Sequence, residues 1–161
     1  NRTLPSEPYF PPVGTTPSIG ATWSPSPGSS FGDITLNNTT LTLVAGKYYF
    51  NSLDLEPGSQ VVVDTSGGPV YLLLRSGLIH RGAFQVGGHY DRLFIGYWGA
   101  SDFWVDSALA GTLVAPNALV ELSANPTNGG IHHGAVYARA VRMHQGGQLE
   151  HHPFLFDWPV E

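Results

Sequence analysis

The stretch Gly111-Thr-Leu-Val-Ala-Pro-Asn-Ala-Leu-Val-Glu-Leu122 is followed, about 23 residues later, by Gly134-Ala-Val-Tyr-Ala-Arg-Ala-Val-Arg-Met143, which has the same pattern. In both, a glycine opens a short strand of alternating small and apolar residues, a corner follows, and a second strand begins. An offset of this length is typical of one coil of a β-solenoid. The repeat therefore predicts an all-β fold, a right-handed single-stranded parallel β-helix of about five coils. A β-sandwich is the alternative.

Further short strands, separated by turn-forming residues, are predicted through most of the chain. Helical periodicity is sustained nowhere, and residues 106–110 are the one place where a turn of helix is expected. The predicted strands outside the repeat are 34–36, 41–43, 48–50, 53–55, 61–63, 70–72, 93–95 and 103–105.

The composition fits a stack of coils with many corners. The chain has 161 residues, of which 42% are hydrophobic, so it can bury a continuous core. Charged residues make up 12%, about half of the usual share, while glycine (20) and proline (13) are frequent. A net charge of −5 with seven Lys and Arg provides no basic surface, so nucleic acid is not an expected partner. No apolar run has the length of a transmembrane segment, and no cysteine is present.

The chain divides into two parts. Residues 1–30 hold more than half of the prolines and show no periodic apolar face, which predicts an extended arm. Residues 31–161 are predicted to form the solenoid domain. We expect the arm to be a linker or a strap over the solenoid, held by Tyr9, Phe10, Ile19 and Trp23.

Six segments between residues 46 and 152 resemble an uncharacterised bacterial β-helix domain. That domain occurs in pilus-assembly-associated proteins and in choice-of-anchor A surface proteins. The resemblance implies a β-helix displayed outside the cell or at its surface, and no established catalytic residue. At its end the family usually has His-Tyr-Asp, where this chain has His151-His152-Pro153. The segments are Gly46-Lys-Tyr-Tyr-Phe-Asn-Ser-Leu-Asp-Leu55, Val61-Val-Val63, Pro69-Val-Tyr-Leu-Leu-Leu74, Leu113-Val-Ala-Pro-Asn-Ala118, Gly134-Ala-Val-Tyr-Ala138 and Leu149-Glu-His-His152.

The histidines are candidates for metal binding. Two segments share the frame Ile-His-x-Gly-Ala-apolar, and a His-His pair follows the second segment by about one coil. Equivalent positions in neighbouring coils lie about 4.8 Å apart, so imidazoles could converge on zinc, copper or nickel, with Glu150 or His144 completing the set. The alternative is an ordinary ladder of stacked side chains. The candidate ligands are His132, His133, His144, His151 and His152.

A group of aromatic residues is a second candidate site. So many large rings exceed what one thin coil can enclose, so some are expected to face outward and bind a carbohydrate or a protein. The alternative is that the arm covers them. The candidate residues are Tyr90, Tyr97, Trp98, Phe103 and Trp104.

Enzymatic activity is not expected. Carboxylates could pair across coils as in polysaccharide lyases and glycosidases, but those β-helices use longer chains with a loop-walled cleft. No nucleophile elbow or phosphate-binding loop is present. We therefore expect a non-enzymatic, secreted or cell-surface module that acts in adhesion, extracellular matrix or filament assembly. Its expected partners are copies of itself, other surface or matrix proteins, or a polysaccharide. No cofactor is expected apart from Zn or Cu at the histidines.

Overall fold

The protein is a parallel β-solenoid. The computed structural model describes residues 3–159, and every strand pairing among them is parallel. The strands are β1 (Thr22–Trp23), β2 (Ser30–Leu36), β3 (Thr40–Val44), β4 (Gly46–Leu55), β5 (Gln60–Asp64), β6 (Val70–His80), β7 (Ala83–Gln85), β8 (Leu93–Tyr97), β9 (Phe103–Ser107), β10 (Ala110–Thr127), β11 (His132–Met143) and β12 (Leu149–His151).

These strands stack in two sheets over about six coils. One sheet has the order β1-β3-β5-β7, and the other has the order β12-β11-β10-β8-β6-β4-β2, with β9 paired to β10 and β6. The predicted solenoid is confirmed, with about one coil more than expected. A β-sandwich is excluded because its sheets are antiparallel.

The repeat that predicted the fold lies in two consecutive coils. Gly111 is in register with Gly134, and Leu113 is in register with Val136. The register shifts between Ala115 and Leu119, where Pro116 and Asn117 form the corner. The Asn117 side-chain amide donates a 2.9 Å hydrogen bond to the carbonyl oxygen of Trp98 in the preceding coil. The corner is thus fixed by a polar contact, while the strands on either side are fixed by burial.

The inward residues of successive coils form one continuous core. Each aliphatic side chain withdrawn from water contributes roughly 1.5–3 kcal/mol, which offsets the entropy lost in ordering the chain. Fully buried members of this core include Leu36, Leu41, Leu43, Leu53, Leu55, Leu72, Ile95, Val105, Leu113, Val120 and Leu122.

Residues 106–110 do not form the expected turn of helix. Val105, Ser107 and Leu109 are all fully buried, so a period of two continues through this segment and favours extended chain. A short 3-10 helix forms instead at Tyr90–Arg92, before β8.

The N-terminal end of the solenoid is covered by the arm. Trp23 packs edge-on against Phe31, with ring centroids 4.9 Å apart, and against Phe50, and Ile19 packs on the same core. β1 pairs with β3 and is the terminal strand of the four-stranded sheet.

A second apolar cluster lies on the outer face of the larger sheet, and both ends of the described chain cover it. Its buried members and the residues packed on them are Leu4, Phe10, Tyr49, Tyr71, Leu73, Phe94, Trp98, Val114, Tyr137, Phe154 and Trp158. The arm therefore lies partly over the solenoid as a strap. Of its expected anchors, Phe10 is buried whereas Tyr9 is 69% exposed.

Candidate functional site

A group of three potential metal ligands lies in the last coils. His133 belongs to β11, Glu150 belongs to β12, and His152 follows β12 directly. His133 is in register with Glu150, and the His152 N–H donates to the carbonyl oxygen of Gly134. The stacking of one coil on the next thus brings together side chains that are 17 to 19 positions apart in sequence.

The ligand atoms of this group converge. Glu150 Oε2 lies 3.2 Å from His133 Nδ1, and Glu150 Oε1 lies 3.1 Å from His152 Nε2. One ligand atom from each of the three residues can be chosen so that all lie within 4.8 Å of one another. The contacts have ion-pair distances but not hydrogen-bond geometry. The nitrogens that face Glu150, His133 Nδ1 and His152 Nε2, are buried and lack a hydrogen-bond partner among residues 3–159. The group could therefore hold a metal ion.

Tyr90 positions the two imidazoles. Its ring stacks on His133, with centroids 4.5 Å apart and planes at 9°, and contacts His152 at 5.2 Å. Tyr90 begins the 3-10 helix that the sequence did not predict. A surface pocket next to this group is lined by Phe84, Tyr90, Ala108, Leu109, Ala110, Asn128, Gly129 and His133.

The other three candidate histidines lie elsewhere. His132 is buried, and its Nδ1 accepts a 3.1 Å hydrogen bond from the Leu109 N–H while its Nε2 lies 2.9 Å from the Ser123 carbonyl oxygen. These partners assign the proton to Nε2 and leave no lone pair for a metal. Burial lowers the pKa of His132.

His144 and His151 are also apart from the group. His144 Nε2 lies 2.9 Å from Glu121 Oε2, and its ring stacks on Trp104. His151 is exposed. Because successive residues of a strand point to opposite faces, neither His151 nor His132 can follow its neighbour into the group. Of the predicted set of five, the structure thus brings together His133 and His152.

His80 is a buried histidine that the sequence did not single out as a site. It is fully buried, and its ring stacks on Phe84 with centroids 5.0 Å apart. Neither ring nitrogen has a hydrogen-bond partner of good geometry among residues 3–159. Burial lowers the pKa of His80 to about 4, and the nearby His132 contributes in the same direction. The shared frame Ile-His-x-Gly-Ala-apolar therefore marks inward-facing histidines.

Most of the candidate aromatic residues are not at the surface. Tyr97, Trp98 and Phe103 are buried, with exposures of 1%, 5% and 8%. Trp104 is 46% exposed, and Tyr90 is half-buried against the histidines. Trp104 is exposed as expected, whereas Trp98 lies on the outer face of the sheet and is covered by the arm, which was the alternative. Carbohydrate binding stays a prediction that now depends mainly on Trp104.

Trp98 is buried because a glycine leaves room for it. In the outward row of the larger sheet, Gly96 lies in register with Leu73 on one side and Val114 on the other. A Cβ atom at Gly96 would overlap the indole of Trp98, which occupies that space. The arm then covers the indole: Phe10 packs against it, and its Nε1 donates a 3.3 Å hydrogen bond to the Pro5 carbonyl oxygen.

The C-terminal end of the solenoid is less covered than the N-terminal end. β12 pairs with residues 132–134 of β11, and no described strand pairs with the outer edge of residues 135–143. Val141 and Met143 continue the inward rows of Val120 and Leu122, but they are 48% and 38% exposed because no described coil lies beyond them. We call residues 138–143 the open edge.

Comparison with protein-family models, curated proteins and solved structures finds no match to this chain. The resemblance to the bacterial surface domain therefore stays a prediction. Within residues 3–159, no helix is long and apolar enough to cross a membrane.

Proposed function

We propose that this protein is a non-enzymatic, secreted or cell-surface β-solenoid module that self-associates through its open edge in adhesion, extracellular matrix or filament assembly. The difference between the two ends of the solenoid carries the proposal. Trp23 and Ile19 pack on the core at the N-terminal end, where the inward side chains of β2 are buried, whereas Val141 and Met143 are exposed at the C-terminal end, beside a strand edge that no described strand pairs. An unpaired edge with apolar side chains favours pairing with another strand.

The charged residues on the open edge do not prevent it from pairing with a second copy. Natural proteins often place Lys or Arg on an edge strand to oppose pairing. Here Arg139 lies 3.0 Å from Asp102, and Arg142 lies 3.5 Å from Glu121, so each positive charge has an acidic partner in a preceding coil. The edge is therefore close to locally neutral, and repulsion between two copies is small.

The covered N-terminal end bears on the form of the assembly. A copy stacked head-to-tail would have to displace Trp23 from Phe31 and Phe50. Two open edges can meet around a two-fold axis without moving the arm, and such an interface is self-complementary. We therefore expect a dimer to form first, with a filament only if the arm is released. The secreted or surface location is supported by the resemblance alone.

The association state tests this proposal. In sedimentation velocity over a range of concentrations, we expect the wild-type protein to form dimers or larger species, and Val141→Lys to shift it towards monomer. Val44→Lys is the matched control, because Val44 is also a strand valine and is 42% exposed. A wild-type protein that stays monomeric at high concentration contradicts self-association. Equal effects of the two variants contradict the open edge as the interface.

A further inference from the structure

We propose that His133, Glu150 and His152 bind one Zn²⁺ ion, which fastens the last strand of the solenoid to the preceding coil. The donor set is two imidazole nitrogens and one carboxylate oxygen, a combination that zinc accepts with a fourth position left for water or another group. The inference is independent of the proposed self-association, since none of these residues belongs to the open edge.

The distances fit a small cation. Two ligands of a tetrahedral zinc site are separated by about 3.3 Å when the metal–ligand distance is about 2.0 Å. Glu150 Oε2 lies 3.2 Å from His133 Nδ1 and Glu150 Oε1 lies 3.1 Å from His152 Nε2, so each imidazole is already at this separation from one of the two carboxylate oxygens. One ligand atom from each residue already lies within 4.8 Å of the other two, so small side-chain rotations suffice to bring all three onto one ion. Glu150 is 57% exposed and His152 is 35% exposed, so both side chains have room to adjust.

Contacts with Tyr90 hold the two imidazoles in place before a metal binds. Stacking on Tyr90 restricts the rotation of His133, and the contact with His152 places the second ring on the same aromatic side chain. Less rotational freedom is then lost when a metal binds. The two nitrogens nearest Glu150 lack a hydrogen-bond partner among the described residues, so a bound metal would replace no existing hydrogen bond.

The position of the site explains what the metal would do. β12 has three residues and pairs with β11 over three positions, so it is a weak element by itself. After His152 the chain leaves the sheet edge, and the Phe154 N–H donates to the Thr112 hydroxyl on the outer face. A metal between β11 and the end of β12 would hold the point from which this covering segment starts.

Zinc titration of the full chain, purified without a histidine tag, tests the inference. By isothermal calorimetry we expect one Zn²⁺ per chain, and a melting temperature that rises with Zn²⁺ and falls back with a chelator. We expect His152→Ala and Glu150→Gln to weaken Zn²⁺ binding at least about tenfold. Glu150→Gln is the safer variant for folding, because its side chain is more exposed than that of either histidine.

His151→Ala is the matched control, because His151 is an exposed histidine directly before His152. It should bind Zn²⁺ as the wild type does. Co²⁺ gives a second readout, since an intense visible absorption band would report a tetrahedral site and should be lost in His152→Ala. Absence of Zn²⁺ binding to the wild-type protein, or equal losses in the 151 and 152 variants, would overturn the inference.

Discussion

At the scale of the residue, His80 is a polar side chain that the stack buries completely. The folded protein favours its neutral form, with a pKa of about 4, whereas an unfolded chain protonates histidine near pH 6.5. The unfolded state thus binds more protons between these values. His80 therefore leaves the free energy of unfolding unchanged above about pH 6.5 and lowers it as the pH falls from there towards 4.

Replacing His80 with leucine should stabilise the protein. His80→Leu removes two ring nitrogens that lack good partners among the described residues, and we expect a gain of about 1–2 kcal/mol at pH 7.5 by urea unfolding. The gain should be larger at pH 5, where the wild-type ring opposes folding. His89→Leu, at an exposed histidine, is the control and should change the free energy of unfolding by less than about 0.5 kcal/mol. A less stable leucine variant at both pH values would contradict this account.

At the scale of the element, the glycines that open the strands allow neighbouring coils to approach. Gly134 has a φ of 140° and is in register with Gly111, which has a φ of 131°. A Cβ atom at Gly134 would collide with the backbone carbonyl of Gly111. Two adverse effects coincide there, a backbone conformation that side chains rarely adopt and a clash with an atom that cannot move away.

Gly134→Ala should therefore lower the free energy of unfolding by about 3 kcal/mol or more. Gly20→Ala is the control, because no atom lies within 4 Å of a Cβ placed there, and it should change stability by less than about 1 kcal/mol. Thermal melting followed by circular dichroism measures both. Similar melting temperatures for the two variants would show that the coils can separate locally at little cost.

Most strand positions, and the register of the two coils that carry the repeat, could be predicted from sequence because they depend on local alternation. The repeat at Gly111 and Gly134 gave both the fold and the pairing of two coils. The burial of Trp98 could not be predicted. It depends on the room that Gly96 leaves by having no side chain, and on a hydrogen bond to Pro5 of the arm, 93 positions away in sequence. That His133 and His152 lie close together could be predicted from the spacing of the coils. The stacking of Tyr90 on His133 could not, since a three-residue helix has no periodicity to detect.

At the scale of the whole molecule, the N-terminal arm and the C-terminal segment both pack on the solenoid and share a buried apolar cluster with it. The arm and the C-terminal segment lie on one outer face, where the Tyr71 hydroxyl donates to the Asp157 carbonyl oxygen and Phe154 packs against Phe94. The arm is held there by Phe10 and by the guanidinium group of Arg75 above its ring. A stack of coils has a core along its axis, and this protein adds a second apolar layer outside it.

Phe10→Ala should test how much the arm contributes. Phe10 is 8% exposed and contacts Trp98 and Tyr49, so its truncation should lower the free energy of unfolding by about 3 kcal/mol and make tryptophan fluorescence more accessible to a soluble quencher. Tyr9→Ala is the neighbouring control, because Tyr9 is 69% exposed, and should change stability by less than about 0.5 kcal/mol. If both variants behave like the wild type, the arm is a linker that rests on the solenoid without stabilising it. A large loss confined to Phe10→Ala would instead make release of the arm costly, and head-to-tail stacking would then have to supply that energy at the N-terminal end.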